Sequence, residues 1–104
     1  MNGRVLSFAV LGLAFALPAR GADPMALAQK YNCLACHAVD HKLVGPAWKD
    51  VANKYRGHKD AEAKLLAKVR NGGSGVWGQI PMPPNPGPSD ADLKELVHFI
   101  LNLK

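Results

Sequence analysis

The chain lacks the sequence signals of several common protein classes. Its 104 residues include only two cysteines, and a disulfide between them would close too short a loop to contribute much stability. No segment alternates apolar and polar residues in the way of a β-strand, and no internal repeat is present. No apolar run reaches the roughly 20 residues that a membrane-spanning helix requires. A small all-α domain is therefore the expected fold class.

The two cysteines lie in Cys33-Leu34-Ala35-Cys36-His37, a C-x-x-C-H sequence that is typical of covalent c-type haem attachment. Each thiol adds to one haem vinyl group to form a thioether. Cysteines at this spacing lie about one helical turn apart, so both sulfurs reach the same porphyrin edge. The histidine that follows is placed to coordinate the iron. The motif predicts Cys33 and Cys36 as attachment residues and His37 as the proximal ligand.

Two other uses of these residues agree less well with the sequence. A thioredoxin-like C-x-x-C opens a helix within a βαβ unit, but no strand pattern precedes Cys33. A zinc site would use His37 and His41, which have the spacing of a zinc-finger pair. However, Cys36 and His37 are adjacent, whereas zinc fingers place about a dozen residues between their cysteine and histidine pairs.

The N-terminus has the composition of an export signal. Arg4 supplies a positive charge ahead of a mostly apolar run from Val5 to Leu17. Small residues at the −3 and −1 positions favour cleavage after Gly21, and cleavage after Ala22 is the alternative. The run is short for an uncleaved membrane anchor. Because haem is attached to this motif outside the bacterial cytoplasmic membrane, we expect the mature protein in the periplasm.

The predicted organisation is a signal peptide at residues 1–22 and a single domain at residues 23–104. The whole chain has 13 Lys and Arg and 8 Asp and Glu. Without the two arginines of the signal, 13 − 2 = 11 basic residues remain, a net charge of 11 − 8 = +3. Because so short a domain buries little apolar surface, we expect a covalently held haem to complete its core.

Four helices are expected in the mature region. Asp23 before Pro24 is a start signal, Asp60 is a second N-cap, and the spacing of Ser89 and Asp92 resembles a capping box. The predicted helices run from Pro24 to Asn32, from Ala47 to Tyr55, from Ala61 to Arg70, and from Ser89 towards the C-terminus. Predicted core positions, which recur at helical spacing, are Leu27, Tyr31, Trp48, Val51, Ala52, Tyr55, Leu65, Leu66, Val69, Leu93, Leu96, Val97, Ile100 and Leu103.

Residues 71–88 are rich in glycine and proline and are expected to form a long irregular connection, which in a compact domain is usually functional. Residues 73–78 match G-x-G-x-x-G. A dinucleotide site is not expected, because no strand precedes the match and no helix can begin in the prolines that follow. The glycines instead favour close approach of the backbone to a flat cofactor.

Met82 is the only methionine after the C-x-x-C-H motif, and Pro81, Pro83 and Pro84 surround it. These prolines fix φ and leave the segment little freedom to rearrange, which suits a thioether that stays on iron in both oxidation states. Met25 lies too near the attachment motif to reach the other face of the haem. A packing role is the alternative for Met82. The frequency of His/Met ligation in c-type haem proteins favours Met82 as the second axial ligand.

The remaining histidines are weaker ligand candidates. His41 is too close to His37 to reach the opposite haem face, His58 lies in a predicted turn, and His98 lies on the final helix. None of them has an acid–base partner evident in the sequence. No catalytic constellation is predicted, and the protein is not expected to be an enzyme.

Three segments together resemble the small bacterial class I cytochromes c of the cytochrome c-551 type. They are the C-x-x-C-H motif, the Val-Gly-Pro-Ala sequence at 44–47, and the Trp-Gly-x-x-Pro-Met-Pro-Pro-Asn sequence at 77–85. The resemblance covers essentially all of residues 23–104. It implies an all-α fold of about four helices wrapped around one covalent haem c, with the first and last helices crossing.

The resemblance also implies roles for residues around the haem. The Pro46 carbonyl, in the Gly45-Pro46 pair, would accept a hydrogen bond from the proximal imidazole and so fix its orientation. Trp77 would donate its indole N–H to a haem propionate, and Asn85 would donate to the axial sulfur. These four residues complete the predicted cofactor-binding set.

Other implications concern the surroundings of this set. In relatives, a basic residue ahead of the glycine-rich segment pairs with a propionate, and Lys68 and Arg70 are both candidates here. Residues 86–88 make the connection to the last helix one residue longer than usual. Phe99 stands where relatives often carry tryptophan.

The function implied by the resemblance is one-electron transfer between respiratory complexes. The implied donor is a quinol-oxidising cytochrome complex, and the implied acceptor is a terminal oxidase or a nitrite reductase. We expect a monomer with no nucleic-acid partner and no stable membrane insertion after signal cleavage. The excess of lysine predicts a positive rim that steers acidic partners, although ordinary solubilising charge is the alternative. Rival functions are an enzyme or sensor with an open iron site, in which Met82 only packs, and a module of a larger haem assembly.

Overall fold

The computed structural model describes residues 3, 5–12 and 22–104. Much of the predicted signal peptide, including Gly21 at the favoured cleavage site, lies outside the described residues, and its assignment stays a prediction. No helix within the described ranges has both the length and the apolar character needed to cross a bilayer.

The described domain consists of four α-helices and one short 3₁₀ turn. In chain order they are α1 (Pro24–Lys30), the 3₁₀ turn (Cys33–Ala35), α2 (Trp48–Tyr55), α3 (Ala61–Asn71) and α4 (Asp90–Leu101). Extended pairing in the part of the chain that the structure covers is limited to two isolated bridges, one of which joins Gly73 to Met82. The predicted all-α class is confirmed.

Helix α1 begins as its sequence predicts but ends earlier. The Asp23 carboxylate accepts a hydrogen bond from the Met25 N–H at 3.2 Å, with Pro24 in the first turn. The predicted end at Asn32 is wrong, because Asn32 has a left-handed φ of 63° that a helix cannot accommodate. Asparagine tolerates this conformation better than most residues. The chain therefore turns sharply just before the first cysteine.

The capping predictions for α3 and α4 are only partly correct. Asp60 occupies the N-cap of α3, but its carboxylate makes no capping hydrogen bond and pairs instead with Lys64 Nζ at 3.1 Å. That hydrogen bond lowers the pKa of the Asp60 carboxyl. Ser89 Oγ caps α4 by accepting from the Asp92 N–H at 3.1 Å. The reciprocal half of the capping box is missing, because the Asp92 carboxylate accepts from the Tyr31 hydroxyl at 2.6 Å.

Helix α4 is the centre of the packing and contacts α1, α2 and α3. Its Leu93, Leu96 and Val97 are at most 2% exposed, as expected for the apolar stripe of an amphipathic helix. The buried cluster that these residues form comprises Leu27, Ala28, Trp48, Val51, Leu65, Leu93, Leu96 and Val97. The other predicted core residues either are buried, as Ala52 is, or pack half-buried against this cluster. The predicted inward faces are therefore confirmed.

Candidate functional site

A cleft of about 340 Å³ opens beside the helical core, within the size range of small-molecule and cofactor sites. Helices α2, α3 and α4 contribute apolar side chains to its wall, and residues from segments 36–46 and 73–83 line the rest of it. Cys36, His37, Trp77 and Met82 all line it. Residues far apart in the chain, which the sequence predicted for one site, thus share one cleft.

The His37 ring is held on one side of this cleft by three contacts. Its Nδ1 lies 2.8 Å from the Pro46 carbonyl oxygen. The ring also stacks on the Trp48 indole, with 5.8 Å between centroids and 23° between planes. Gly45 leaves room for it, since a Cβ there would lie 2.6 Å from His37 Cε1. A carbonyl only accepts hydrogen bonds, so Nδ1 carries the proton and Nε2 keeps its lone pair for coordination.

The two cysteines are placed by the 3₁₀ turn that follows α1. The N–H groups of Cys36 and His37 both donate to the Cys33 carbonyl, at 3.2 and 3.0 Å, which closes the turn. Both thiols are free and half-buried. Burial raises the pKa of the Cys33 thiol. The turn presents two sulfurs and an imidazole within five consecutive residues, a donor set suited to covalent attachment and axial ligation of a haem.

Met82, which also lines the cleft, is held there by main-chain bonds at the end of α3. Its N–H and carbonyl both pair with Gly73, at 2.8 and 2.9 Å, and the Asn85 N–H donates to the Val69 carbonyl at 2.8 Å. Gly72 has a φ of +67°, and a Cβ there would lie 2.8 Å from Pro84 N. The segment that carries the methionine is therefore docked on glycine backbone that no other residue could replace without strain.

The rim of the cleft carries an indole and two ammonium groups. Trp77 is 43% exposed, and Lys54 Nζ lies 5.5 Å above its ring centroid, within cation–π range. Lys68 lines the cleft, whereas Arg70 lies away from it and donates to Pro86 and Asp90. Of the two basic residues considered as propionate partners, Lys68 is the one at the cleft.

The Asn85 side chain has partners that the sequence did not predict. Its Nδ2 donates to the Tyr31 carbonyl at 3.2 Å, and its Oδ1 accepts from the Gly87 N–H at 3.3 Å. A primary amide has two N–H donors, so one remains beside the bond to Tyr31. The predicted hydrogen bond from Asn85 to the Met82 sulfur stays a prediction.

The three weaker histidine candidates are all engaged away from the cleft. His41 Nδ1 lies 2.8 Å from the adjacent Asp40 carboxylate, and that hydrogen bond lowers the pKa of Asp40. His98 lies 3.2 Å from Glu62. The His58 ring meets the Tyr55 ring edge-on at 6.0 Å. None of the three lines the cleft, in agreement with their being the weaker ligand candidates.

Comparison with known proteins shows which class of protein this geometry belongs to. Residues 21–104 match the sequence profile of the cytochrome c family. The chain is 59% identical to cytochrome c-552 of Nitrosomonas europaea over 78 residues, which are 75% of this chain and 76% of that protein. It is 46% identical to cytochrome c-551 of Pseudomonas aeruginosa over 100 residues, which are 96% of this chain and 95% of that protein.

Solved structures agree with the sequence relatives. The crystal structure of wild-type N. europaea cytochrome c552 superposes with a TM-score of 0.73 at 57% identity, covering 77% of this chain and 99% of that one. The crystal structure of the class 1 cytochrome MtoD from Sideroxydans lithotrophicus gives a TM-score of 0.65 at 39% identity, covering 75% of this chain and 89% of that one.

The helical fold, the C-x-x-C-H turn and the apolar cleft define a covalent haem protein. The chain belongs to the cytochrome c family and is a small bacterial class I cytochrome c. Its cofactor is therefore haem c, and it is a haem-based electron-transfer protein rather than an enzyme. The expected fold, cofactor and family are confirmed.

Proposed function

We propose that this protein carries electrons in the periplasm through one haem c, attached to Cys33 and Cys36 and ligated by His37 and Met82. The observation that supports the proposal most strongly is that the imidazole and the thioether line one cleft, although the two residues are far apart in sequence. When bound, the haem supplies an iron that alternates between the ferrous and ferric states.

The proximal side of the site orients the imidazole before any ligand binds. The 2.8 Å contact with the Pro46 carbonyl selects the tautomer protonated at Nδ1, so Nε2 is the coordinating atom. Such an outer hydrogen bond also raises the basicity of the imidazole. Stacking on Trp48, which is 4% exposed, limits rotation of the ring. Gly45, Pro46 and Trp48 therefore position His37 in this proposal.

The segment that carries Met82 has little freedom to rearrange. Two main-chain bonds to Gly73 fix the backbone of Met82, and the flanking prolines remove φ freedom. A segment this constrained keeps its geometry when the charge at the site changes. The reorganisation energy of electron transfer is therefore low. In this proposal the remaining N–H of Asn85 donates to the Met82 sulfur.

The cleft rim is suited to the carboxylates of a haem. Trp77 offers an indole N–H, and Lys68 offers an ammonium group, so together they provide a neutral and a charge-assisted donor. Lys54 adds a further positive charge beside the Trp77 ring. The apolar wall disfavours extra charge on the cofactor, which favours the reduced state and raises the reduction potential.

Partner contact is proposed at the mouth of the cleft. Val44, Val76 and Ile80 are 52%, 46% and 65% exposed there, and Lys42 and Lys54 lie close by. Positive charge around an apolar patch steers acidic partners and suits small, short-lived contacts. The proposed donor is a quinol-oxidising cytochrome complex, and the proposed acceptor is a terminal oxidase or a nitrite reductase. The periplasmic location rests on the predicted signal peptide.

Absorption spectroscopy of the oxidised holoprotein tests the ligand assignment. The parent protein should show the weak far-red sulfur-to-iron band, and Met82→Ala should abolish it. Met25→Ala is the matched control, because Met25 lies on α1 and packs half-buried against the core; this variant should keep the band. A band that survives Met82→Ala would refute methionine ligation by Met82. Its absence from the parent would favour the rival function with an open iron site.

A further inference from the structure

The segment between Met82 and α4 has few backbone donors with which to hold itself in place. Four of the six residues from 83 to 88 are prolines, which have no N–H. Both remaining donors are already engaged. The Asn85 N–H donates to the Val69 carbonyl at 2.8 Å, and the Gly87 N–H donates to the Asn85 side chain at 3.3 Å. Beyond these bonds and the one from Asn85 Nδ2 to the Tyr31 carbonyl, further anchoring of this segment must come from side chains elsewhere.

The guanidinium of Arg70 supplies such an anchor. Its Nη1 donates to the Pro86 carbonyl at 3.2 Å, and its Nη2 donates to the Asp90 carboxylate at 2.9 Å. Arg70 lies in the last turn of α3 and Asp90 in the first turn of α4, where a carboxylate is favoured by the helix dipole. The planar guanidinium of Arg70 thus joins α3, residues 82–88 (the methionine segment) and α4.

We propose that Arg70 is a positioning residue for Met82. The proposal rests on the proposed function, because it takes Met82 to be an axial ligand. Val69 and Arg70 hold the chain just after Met82, while Gly73 holds Met82 itself, so the three contacts fix the methionine segment against one end of α3. Without Arg70, residues 86–90 would keep no hydrogen bond to α3, and Met82 would leave the iron more readily.

The two hydrogen bonds of the Arg70 guanidinium are expected to contribute unequally to holding Met82 in place. The Arg70 side chain is 27% exposed, but that of Asp90 is 95% exposed, so solvent screens the ion pair. The bond from Arg70 to the Pro86 carbonyl has a charged donor and attaches directly to the chain that follows Met82, whereas Asp90 lies further on, in α4. It should account for most of the effect on Met82.

Competition by imidazole for the oxidised iron measures how firmly Met82 is held. Arg70→Gln should bind imidazole about fivefold more tightly than the parent, the factor expected for loss of one hydrogen bond of ordinary strength. Asp90→Asn should change the affinity by less than about twofold. Arg70→Lys, which keeps the charge but loses the planar guanidinium, should fall between the parent and Arg70→Gln.

Arg56→Gln is the matched control. Arg56 also donates to a main-chain carbonyl, that of Leu103, at 3.2 Å, but it does not line the cleft and has no hydrogen bond to the segment that carries Met82. Its removal should leave imidazole affinity unchanged. An affinity of Arg70→Gln equal to that of the parent, or an equal rise in Arg56→Gln, would overturn the proposal. If Arg70→Gln does not accumulate as holoprotein, parent-like affinity in Arg70→Lys overturns it. Failure of the proposed function is recognised separately, by the absence of the far-red band from the parent.

Discussion

Gly73 and Met82 donate main-chain hydrogen bonds to each other, at 2.9 and 2.8 Å. This reciprocal pair makes the glycine- and proline-rich connection between α3 and α4 an ordered part of the site. It fixes the backbone of Met82, so only the side-chain rotamer decides how the thioether reaches into the cleft. The dependence of this arrangement on small residues and on distant contacts can be tested.

Gly72→Ala should destabilise the holoprotein strongly. Gly72 has a φ of +67°, and a Cβ there would collide with the main chain of Met82 and lie 2.8 Å from Pro84 N. Backbone strain and overpacking together should lower the free energy of unfolding by about 2–4 kcal/mol, measured by denaturant titration. Gly57→Ala is the control, because its φ is +82° with nothing within 4 Å. It should lose only about 1–2 kcal/mol, and equal losses would contradict the docking of Met82 on this glycine.

Gly45→Ala should act on the proximal ligand. The added Cβ would lie 2.6 Å from His37 Cε1, so the imidazole must move and its bond to Pro46 must lengthen. Overpacking should cost about 1–3 kcal/mol of stability, and the reduction potential should change with the basicity of the imidazole. Spectroelectrochemical titration checks this. A potential identical to that of the parent would show that the ring is not held as described.

Tyr31→Phe should weaken the contact between α1 and α4. It removes the 2.6 Å hydrogen bond from the half-buried hydroxyl to the Asp92 carboxylate. The free energy of unfolding should fall by about 1–2 kcal/mol, as for a hydrogen bond to a charged acceptor that is partly exposed. A double-mutant cycle with Asp92→Ala isolates the pair. Strict additivity of the two substitutions would mean that this bond contributes nothing.

Trp77→Phe should change how the midpoint potential depends on pH. The substitution removes the indole N–H proposed to bond a propionate but keeps an aromatic ring beneath Lys54. Loss of that donor should raise the propionate pKa, because a hydrogen bond to the ionised form stabilises it. Lys54→Gln keeps the indole and separates the effect of the ammonium charge. An unchanged titration in Trp77→Phe would count against its contact with a propionate.

Local signals were sufficient to predict the number and order of the helices, although α1 ends before the predicted Asn32. Helix starts and apolar faces depend on residues that are close together in sequence. The Asp23-Pro24 pair and the apolar stripe of α4 are features of this kind. The start of α2 differs by one residue from the prediction. Asp60 failed as a capping side chain because Lys64, one turn on, offers its carboxylate a charged partner.

Contacts between distant residues could not be predicted in the same way. Tyr31 and Asp92 are 61 residues apart, and nothing in their spacing indicates that α1 and α4 bring them together. The choice between Lys68 and Arg70 depended likewise on the path of the chain after Met82, which places Pro86 and Asp90 beside Arg70. The sequence motifs indicate the candidate ligands. The side chains that orient those ligands are determined by the tertiary fold.

The central claim is that one haem is held covalently by Cys33 and Cys36, and mass spectrometry of the denatured protein tests it most directly. Protein purified from its native host should have the mass of the processed polypeptide plus one haem, and unfolding should not release the cofactor. Replacing either cysteine by serine should remove one thioether, and replacing both should release the haem. A denatured protein with the mass of the bare polypeptide would contradict the account.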